Sequence, residues 1–331
     1  MRFITLFFSV LLPAAAVAAA QPDDVCDASS GPTCATMNRA FRHPVVVVSH
    51  GPGPLWLLKD GFYGQSSTCE AANNVRTIFN RLYPQASGDA SASVRPLPKR
   101  ILFVSAHWES RRYGFEISKS ANPEMIYDYG GFPPESYEVV YGAKGDPQFA
   151  ARIKDVLAQN QITSTLVERG YDHGVFVPMF LIRPEADIPI VSVSINDRMS
   201  TKDHFELGKA LAPLRDEDTL IICSGQATHN LRAGFDPSAP IADWASNFQE
   251  WLDSTFAGSS NFSYKDRQTA IESWEKVPSA RKAHPTPDHF TPFVVAMGAG
   301  MEPERPAATK LFGGWGVGQL SFATYAWGLE Q

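Results

Sequence analysis

The chain has 331 residues, of which 44% are hydrophobic and 19% charged, and its formal net charge is −6. That composition is globular and long enough to bury a sizeable core. The acidic balance and the lack of any long Lys/Arg run argue against a nucleic-acid partner or an anionic membrane surface.

Arg2, the apolar run Phe3 to Leu12 and the small-x-small pair Ala18 and Ala20 read as a secretory signal peptide over residues 1–20. The run is too short for a membrane anchor, so no span is expected after cleavage, and the location expected is secreted or secretory-pathway. Residues 21–42 read as a leader whose Cys26 and Cys34 can pair with each other or with Cys69 in an oxidising compartment. Cys223 lies in an apolar run and reads as a buried thiol. Asn261-Phe262-Ser263 is a glycosylation sequon that such a route makes usable.

The run PVVVVS (Pro44 to Ser49) predicts a strand buried on both faces, since it lacks alternation. Cys69 to Leu82 has helical spacing, and Ala86 to Pro98 reads as a surface loop. Further strands are predicted at Arg100 to Ser105, Thr163 to Glu168, Pro189 to Ile195 and Thr219 to Ser224. Helices are predicted at Pro147 to Leu157, Phe205 to Leu214, Ile241 to Phe256 and from Pro292 to Met297, with Arg215 to Asp218 as a polar turn. Strands alternating with helices predict an α/β class, a single domain over residues 43–331 with a central mostly parallel or mixed sheet flanked by helices.

Eight histidines punctuate this pattern. His50 directly follows the PVVVVS strand, His107 directly follows the second strand, and His229 comes five residues after LIICS. Carboxyl ends of strands in an open α/β sheet form the ligand crevice, so three strands are expected to deliver imidazoles to one rim. Neutral imidazole is the commonest metal-ligand side chain and is accepted by Zn(II), Fe(II) and Cu(II). His173 sits in a polar turn beside Asp172, and His284 and His289 flank a turn stiffened by Pro285 and Pro287. His43 and His204 are assigned to surface or packing roles. Trp108, Tyr129 and Phe132 are candidates for an aromatic pocket or for core packing. Arg281 and Lys282 are candidates for a substrate carboxylate or for a solvated charge pair.

Six segments then combine: Val48-Ser49-His50-Gly51, Ser105-Ala106-His107-Trp108-Glu109, Tyr127-Asp128-Tyr129-Gly130-Gly131-Phe132-Pro133, Asp172-His173-Gly174, Ala227-Thr228-His229-Asn230-Leu231, and Ala283-His284-Pro285-Thr286-Pro287-Asp288-His289-Phe290. In this order the chain, from residue 43 onward, resembles the class III extradiol ring-cleaving dioxygenases, in the 4,5-DOPA dioxygenase branch. The resemblance implies one non-haem metal with His50, His107 and His289 as ligands, the last in a position where related branches carry glutamate. It implies His229 as the acid/base residue, able to coordinate in a resting Zn(II) form, and His173 near substrate or O2. The partners implied are a small aromatic diol, DOPA-like, and O2, with extradiol cleavage to a semialdehyde. Fe(II) is implied for activity and Zn(II) is possible in isolated protein. After His50 the chain departs from the family, reading Gly51-Pro52-Gly53-Pro54 in place of glycine-serine-proline, which keeps the ligand and alters the adjacent wall. Two alternatives share these residues: a zinc-dependent hydrolase with His229 as general base, and a non-catalytic metal-binding member of the superfamily.

Overall fold

Every residue of β1 (Val45–Ser49) is buried, and its side chains enter two separate cores by turns. Val45 and Val47 join one, Val46 and Val48 the other. A strand covered on both faces needs no polar face, which is why its sequence shows no alternation. The computed structural model describes residues 41–84, 95–258 and 262–329. The signal segment, the leader with Cys26 and Cys34, most of the loop expected at 86–98 and the sequon's Asn261 lie outside the described residues.

The remaining strands are β2 (Arg100–Glu109), β3 (Phe115–Ser118), β4 (Met125–Ile126), β5 (Ser164–Val167), β6 (Tyr171–Asp172), β7 (Ile190–Ile195), β8 (Thr219–Gly225), β9 (Thr309–Phe312), β10 (Trp315–Gly316), β11 (Leu320–Ser321) and β12 (Thr324–Trp327). One 8-stranded sheet has the order β5-β3-β7-β2-β8-β1-β12-β9. Its centre, β7-β2-β8-β1, is parallel. Antiparallel joins of β3 to β7 and of β12 to β1 make the whole sheet mixed, an α/β single domain as the alternation of elements predicts.

The helices are α1 (Glu70–Arg76), α2 (Ile78–Leu82), α3 (Pro147–Gln159), α4 (His173–Ile182), α5 (Thr201–Leu211), α6 (Asp243–Phe256), α7 (Tyr264–Glu272), α8 (Ala280–Ala283) and α9 (Thr291–Gly300). The core on one face is built with α1, α2 and α4, the other with α3, α5, α6 and α9. Among the described residues no helix is long and apolar enough to cross a membrane.

Three expectations need correction. First, β2 does not stop at Ser105. It runs to Glu109, and its register against β7 slips between Ser105 and Glu109, so His107 sits inside a bulge rather than after the strand. A bulge re-aims a side chain without ending the strand. Second, Arg215 is fully buried, not part of a solvated turn. Its Nε donates to the His43 carbonyl at 2.7 Å and its Nη1 to the Ala299 carbonyl at 3.2 Å. Third, β3 and the run β9 to β12 leave no strong pattern in the sequence, because they are short and Gly313, Gly314, Gly316 and Gly318 interrupt the run. His43 and His204 are both buried packing residues: His43 Nδ1 lies 2.9 Å from the Tyr83 hydroxyl, and His204 Nε2 accepts from the Asn196 amide at 3.1 Å.

All ten residues of α9 are buried. It crosses α5 at glycine against backbone: a Cβ on Gly208 would stand 2.1 Å from the Val295 carbonyl oxygen, and one on Gly298 would stand 2.2 Å from that of Phe205. Gly298→Ala should therefore force the helices apart, costing about 1–3 kcal/mol by overpacking. Thermal unfolding should show a Tm several degrees lower, and an unchanged Tm would refute the tight crossing.

Candidate metal centre

β8 lies between β1 and β2, so the carboxyl ends of these strands form one rim. β1 brings His50 there directly, and the bulge in β2 brings His107. The loop after β8 is sewn to the loop before α9. The Gln226 amide donates to the His289 carbonyl at 3.0 Å, the His229 amide to the Ala283 carbonyl at 2.9 Å, and Asn230 Nδ2 to the Lys282 carbonyl at 2.8 Å. His284 completes the seam with its Nε2 at 3.0 Å from the Ala227 carbonyl, and burial pushes its pKa down to about 3, so it serves as a neutral tie. Gly225 permits the approach, since a Cβ there would stand 2.2 Å from the His289 carbonyl oxygen.

Three imidazole edges meet. His50 Nε2 lies 3.2 Å from His107 Nε2, which lies 3.2 Å from His289 Nε2. In each ring the opposite nitrogen is already engaged. The Ser224 hydroxyl donates to the Gly174 carbonyl at 2.5 Å, so it must accept from His50 Nδ1–H at 2.9 Å. His107 Nδ1 faces Asp128 Oδ2 at 3.1 Å, and His289 Nδ1–H donates to Asp288. The three Nε2 atoms therefore carry lone pairs, and lone pairs do not attract one another. Two nitrogens each about 2.1 Å from one divalent ion stand about 3.0–3.4 Å apart. The spacing and the donor chemistry thus fit a bound cation.

Two further imidazoles flank this trio. His173 opens α4, and both its backbone amide (3.0 Å) and its Nδ1–H (2.8 Å) donate to Asp128 Oδ1. Asp172, its sequence neighbour, instead accepts from Ser105 at 2.6 Å and from Arg169 at 3.2 Å. The His173 ring centroid stands 3.8 Å from that of His107, and His50, His107 and His173 each offer a ligand atom within 4.8 Å of the others. His229 stacks flat on His289, with centroids 3.6 Å apart and planes within 6°. His229, Asp288 and His289 form a second close group.

Burial, reinforced by His107 and His289, holds His50 well below the ordinary imidazole pKa. Burial and the adjacent His229 do the same to His289, and burial and His107 lower His173. Burial also pushes His229 down to about 4, against the opposing pull of Asp288. For Asp128 burial alone would raise the pKa, but the hydrogen bonds from His107 and His173 overcome it and hold the carboxyl well below the usual range. Neutral rings facing anionic carboxylates are the state that metal ligation requires.

Asp128, Ser224 and Asp288 are the residues that sequence reasoning leaves without a role. Asp128 and Asp288 stand inside quoted motifs, and an acid in such a motif is the one available signal. Ser224 carries none. Of the aromatic candidates, Trp108 lies under the Arg169 guanidinium at 4.9 Å, beside a polar cavity of about 630 Å³ that His107 and His289 also line. Tyr129 meets the His173 ring edge-on at 5.6 Å. Arg281 pairs with Glu275 at 2.9 Å and covers Trp274, and Lys282 lies over Trp244, so both are held in surface contacts.

Over residues 47–323 the chain matches the family described as the catalytic LigB subunit of aromatic ring-opening dioxygenase. It is 40% identical over 231 residues to the 4,5-DOPA dioxygenase extradiol of Beta vulgaris, covering 69% of this chain and 82% of that protein. It is 35% identical over 281 residues to the dioxygenase tasH of Hapsidospora irregularis, covering 79% of each. The 4,5-DOPA dioxygenase extradiol of Escherichia coli K12 is 31% identical over 268 residues, covering 79% of this chain and 88% of that one. The crystal structure of an uncharacterized protein from the same bacterium superposes with a TM-score of 0.63 at 28% identity, over 86% of this chain and 100% of that one.

Two outcomes follow. Asp128→Asn removes the anion that orients both His107 and His173, and metal affinity measured by competitive chelator titration should fall about 10–100-fold. Affinity equal to the parent's would remove Asp128 from the centre. The second outcome concerns pH. His50, His173, His229 and His289 have folded pKa values below the unfolded value of about 6.5, so the unfolded chain binds more protons once pH drops under that value. Their contribution to stability is whole above about 6.5 and is lost as pH falls, through about 4 for His229. The Tm of metal-free protein should thus decline from pH 7 toward pH 4, and a Tm that rises over that range would contradict neutral buried rings.

Proposed function

The chain belongs to the LigB family of class III extradiol dioxygenases, aromatic ring-opening enzymes that depend on a non-haem metal, and from that membership we propose that its substrate is a catechol, cleaved beside the diol with O2 to a semialdehyde. DOPA is the first substrate to try, because similar proteins from a plant and a bacterium are named for it. The observation that carries the reading is the convergence of three Nε2 lone pairs at 3.2 Å with every Nδ1–H turned outward.

In this reading His50, His107 and His289 hold the metal. Fe(II) held there supplies the redox capacity that O2 chemistry needs and the charge that lowers a phenolic pKa, whereas Zn(II) supplies only the charge. His229 takes the proton that leaves the diol. Three features support that role: it is neutral at physiological pH, it stands against a ligand ring, and its flat stacking sets its nitrogens off the axis of the His289 lone pair. A ring so offset is better placed to meet a bound substrate than to share the ion. His173 has its Nδ1–H tied to Asp128, so its free nitrogen is on the opposite edge, suited to a hydrogen bond with bound oxygen or substrate.

Oxygen uptake by protein loaded anaerobically with Fe(II), using DOPA, catechol and protocatechuate, is the decisive measurement. Uptake with a yellow product is expected. No uptake by folded, iron-loaded protein across the panel would favour a hydrolytic or non-catalytic centre. His50→Ala and His107→Ala should lose tight metal binding. His229→Ala should keep most of the metal and lose about 10²–10⁴ in turnover. Full turnover by that variant would remove His229 from the proton path.

A further inference from the structure

The loops that follow His50, Asp128 and His229 do more than carry imidazoles. Together with the turn between β10 and β11 they enclose a second, smaller cavity of about 150 Å³. Pro52, Leu55, Phe132, Phe235, Val317 and Leu320 line it, and no Asp, Glu, Lys, Arg or His does. The one side-chain amide beside them, Gln65, has its Oε1 engaged, accepting from Trp56 Nε1 at 2.9 Å. The Tyr129 ring stands between this cavity and the metal centre, packed against Phe132 on one side and His173 on the other. His107 meets His173 at 3.8 Å, His173 meets Tyr129 at 5.6 Å, and Tyr129 meets Phe132 at 5.4 Å.

Two further features mark the cavity as built. Its wall contains the Gly51-Pro52-Gly53-Pro54 segment. Gly53 is left-handed (φ 56°), and a Cβ there would stand 3.1 Å from Phe132 Cζ, so the glycine lets the phenyl ring close on the loop. Two lining residues that are not glycine also adopt left-handed backbone, Tyr63 (φ 56°) and Val317 (φ 46°). A β-branched residue there is a genuine outlier, and such strain clusters at ligand clamps. At the mouth Phe62, Tyr63 and Phe235 remain 38%, 45% and 36% exposed and form an apolar rim.

We infer that this cavity is the subsite for an apolar substituent on the catechol ring, so that the preferred substrates are catechols bearing an alkyl or aryl group rather than a charged amino-acid or carboxylate tail. The inference rests on the reading of the chain as a catechol dioxygenase and narrows its substrate class. An apolar cavity of about this volume accepts a single benzene ring in another protein, which sets the size of the substituent. A zwitterionic tail would leave its charges without partners there. The cavity beside His107 and His289 gives a carboxylate little net attraction, because Arg112 pairs with Glu116 at 3.4 Å, Arg169 pairs with Asp172 at 3.2 Å, and Glu109 and Asp288 share its lining with Arg111.

The test is a substituent series of catechol, 4-methyl-, 4-ethyl-, 4-propyl- and 4-phenylcatechol, with DOPA and protocatechuate for comparison. Calorimetry on the Zn(II)-loaded full chain reads Kd, and oxygen uptake by the Fe(II)-loaded chain reads KM. Both should fall roughly fourfold per added carbon up to propyl. DOPA and protocatechuate should bind no more tightly than catechol. Val317→Asp suits the left-handed backbone, so it should fold, and it should flatten the series by placing a charge in the cavity; Phe235→Ala should flatten it by opening the wall. A flat series in the parent protein, or tighter binding of DOPA or protocatechuate, overturns the assignment. Turnover of catechol with a flat series defeats the cavity alone, whereas failure of every catechol to bind or react defeats the catechol reading and this inference with it.

Discussion

The centre depends on where three protons sit. Imidazole edges can be brought to 3.2 Å only if each ring keeps its hydrogen on the far nitrogen, and each far nitrogen then needs its own acceptor inside the protein. Ser224, Asp128 and Asp288 meet that demand, and their positions explain much of the local architecture. Ser224 is fixed by Gly174 at the start of α4, Asp128 also receives the amide that begins that helix, and Asp288 is held at the end of a proline-stiffened turn. Rearranging any of these acceptors would turn a lone pair away from the common point.

The sheet and the imidazoles were legible in the sequence for the same reason: both depend on short-range signals. PVVVVS, RILFVS and LIICS are dense apolar runs, and a histidine just beyond such a run lies toward the carboxyl end of the sheet, even where, as at His107, the strand continues through a bulge. The acceptors behind the rings were not legible. Ser224 is one serine in a buried strand, and its partner His50 is 174 residues away. Asp172 stood next to His173 and was the natural orienting acid, yet Asp128, 45 residues off, takes that place. Adjacency along the chain says little about which side chains meet where a strand turns into a helix. The bulge in β2 and the burial of Arg215 were hidden likewise, since both are fixed by neighbours distant in sequence.

The charge balance differs from what the ligand set alone implies. With histidine in place of a third-position glutamate, the trio is one unit more positive than a two-histidine, one-carboxylate set. Negative charge is not far off, however. Asp128 and Asp288 stand directly behind His107 and His289, one bond-length beyond the coordinating layer, and both are held ionised. Carboxylates in that position polarise the rings without occupying a coordination site, which leaves the face opposite the three rings open.

The placement of β1 has a consequence for how the protein is made. The first strand of the domain lies between β8, contributed by residues 219–225, and β12, contributed by residues 324–327. A chain emerging from the ribosome therefore leaves both edges of this strand bare until residue 225 is made, and one edge bare until residue 327 is made. His50 waits on that strand for His289, so the centre cannot assemble in stages. Assembly of the three imidazoles must therefore follow the synthesis of residue 289, and the strand that carries His50 gains its second neighbour later still.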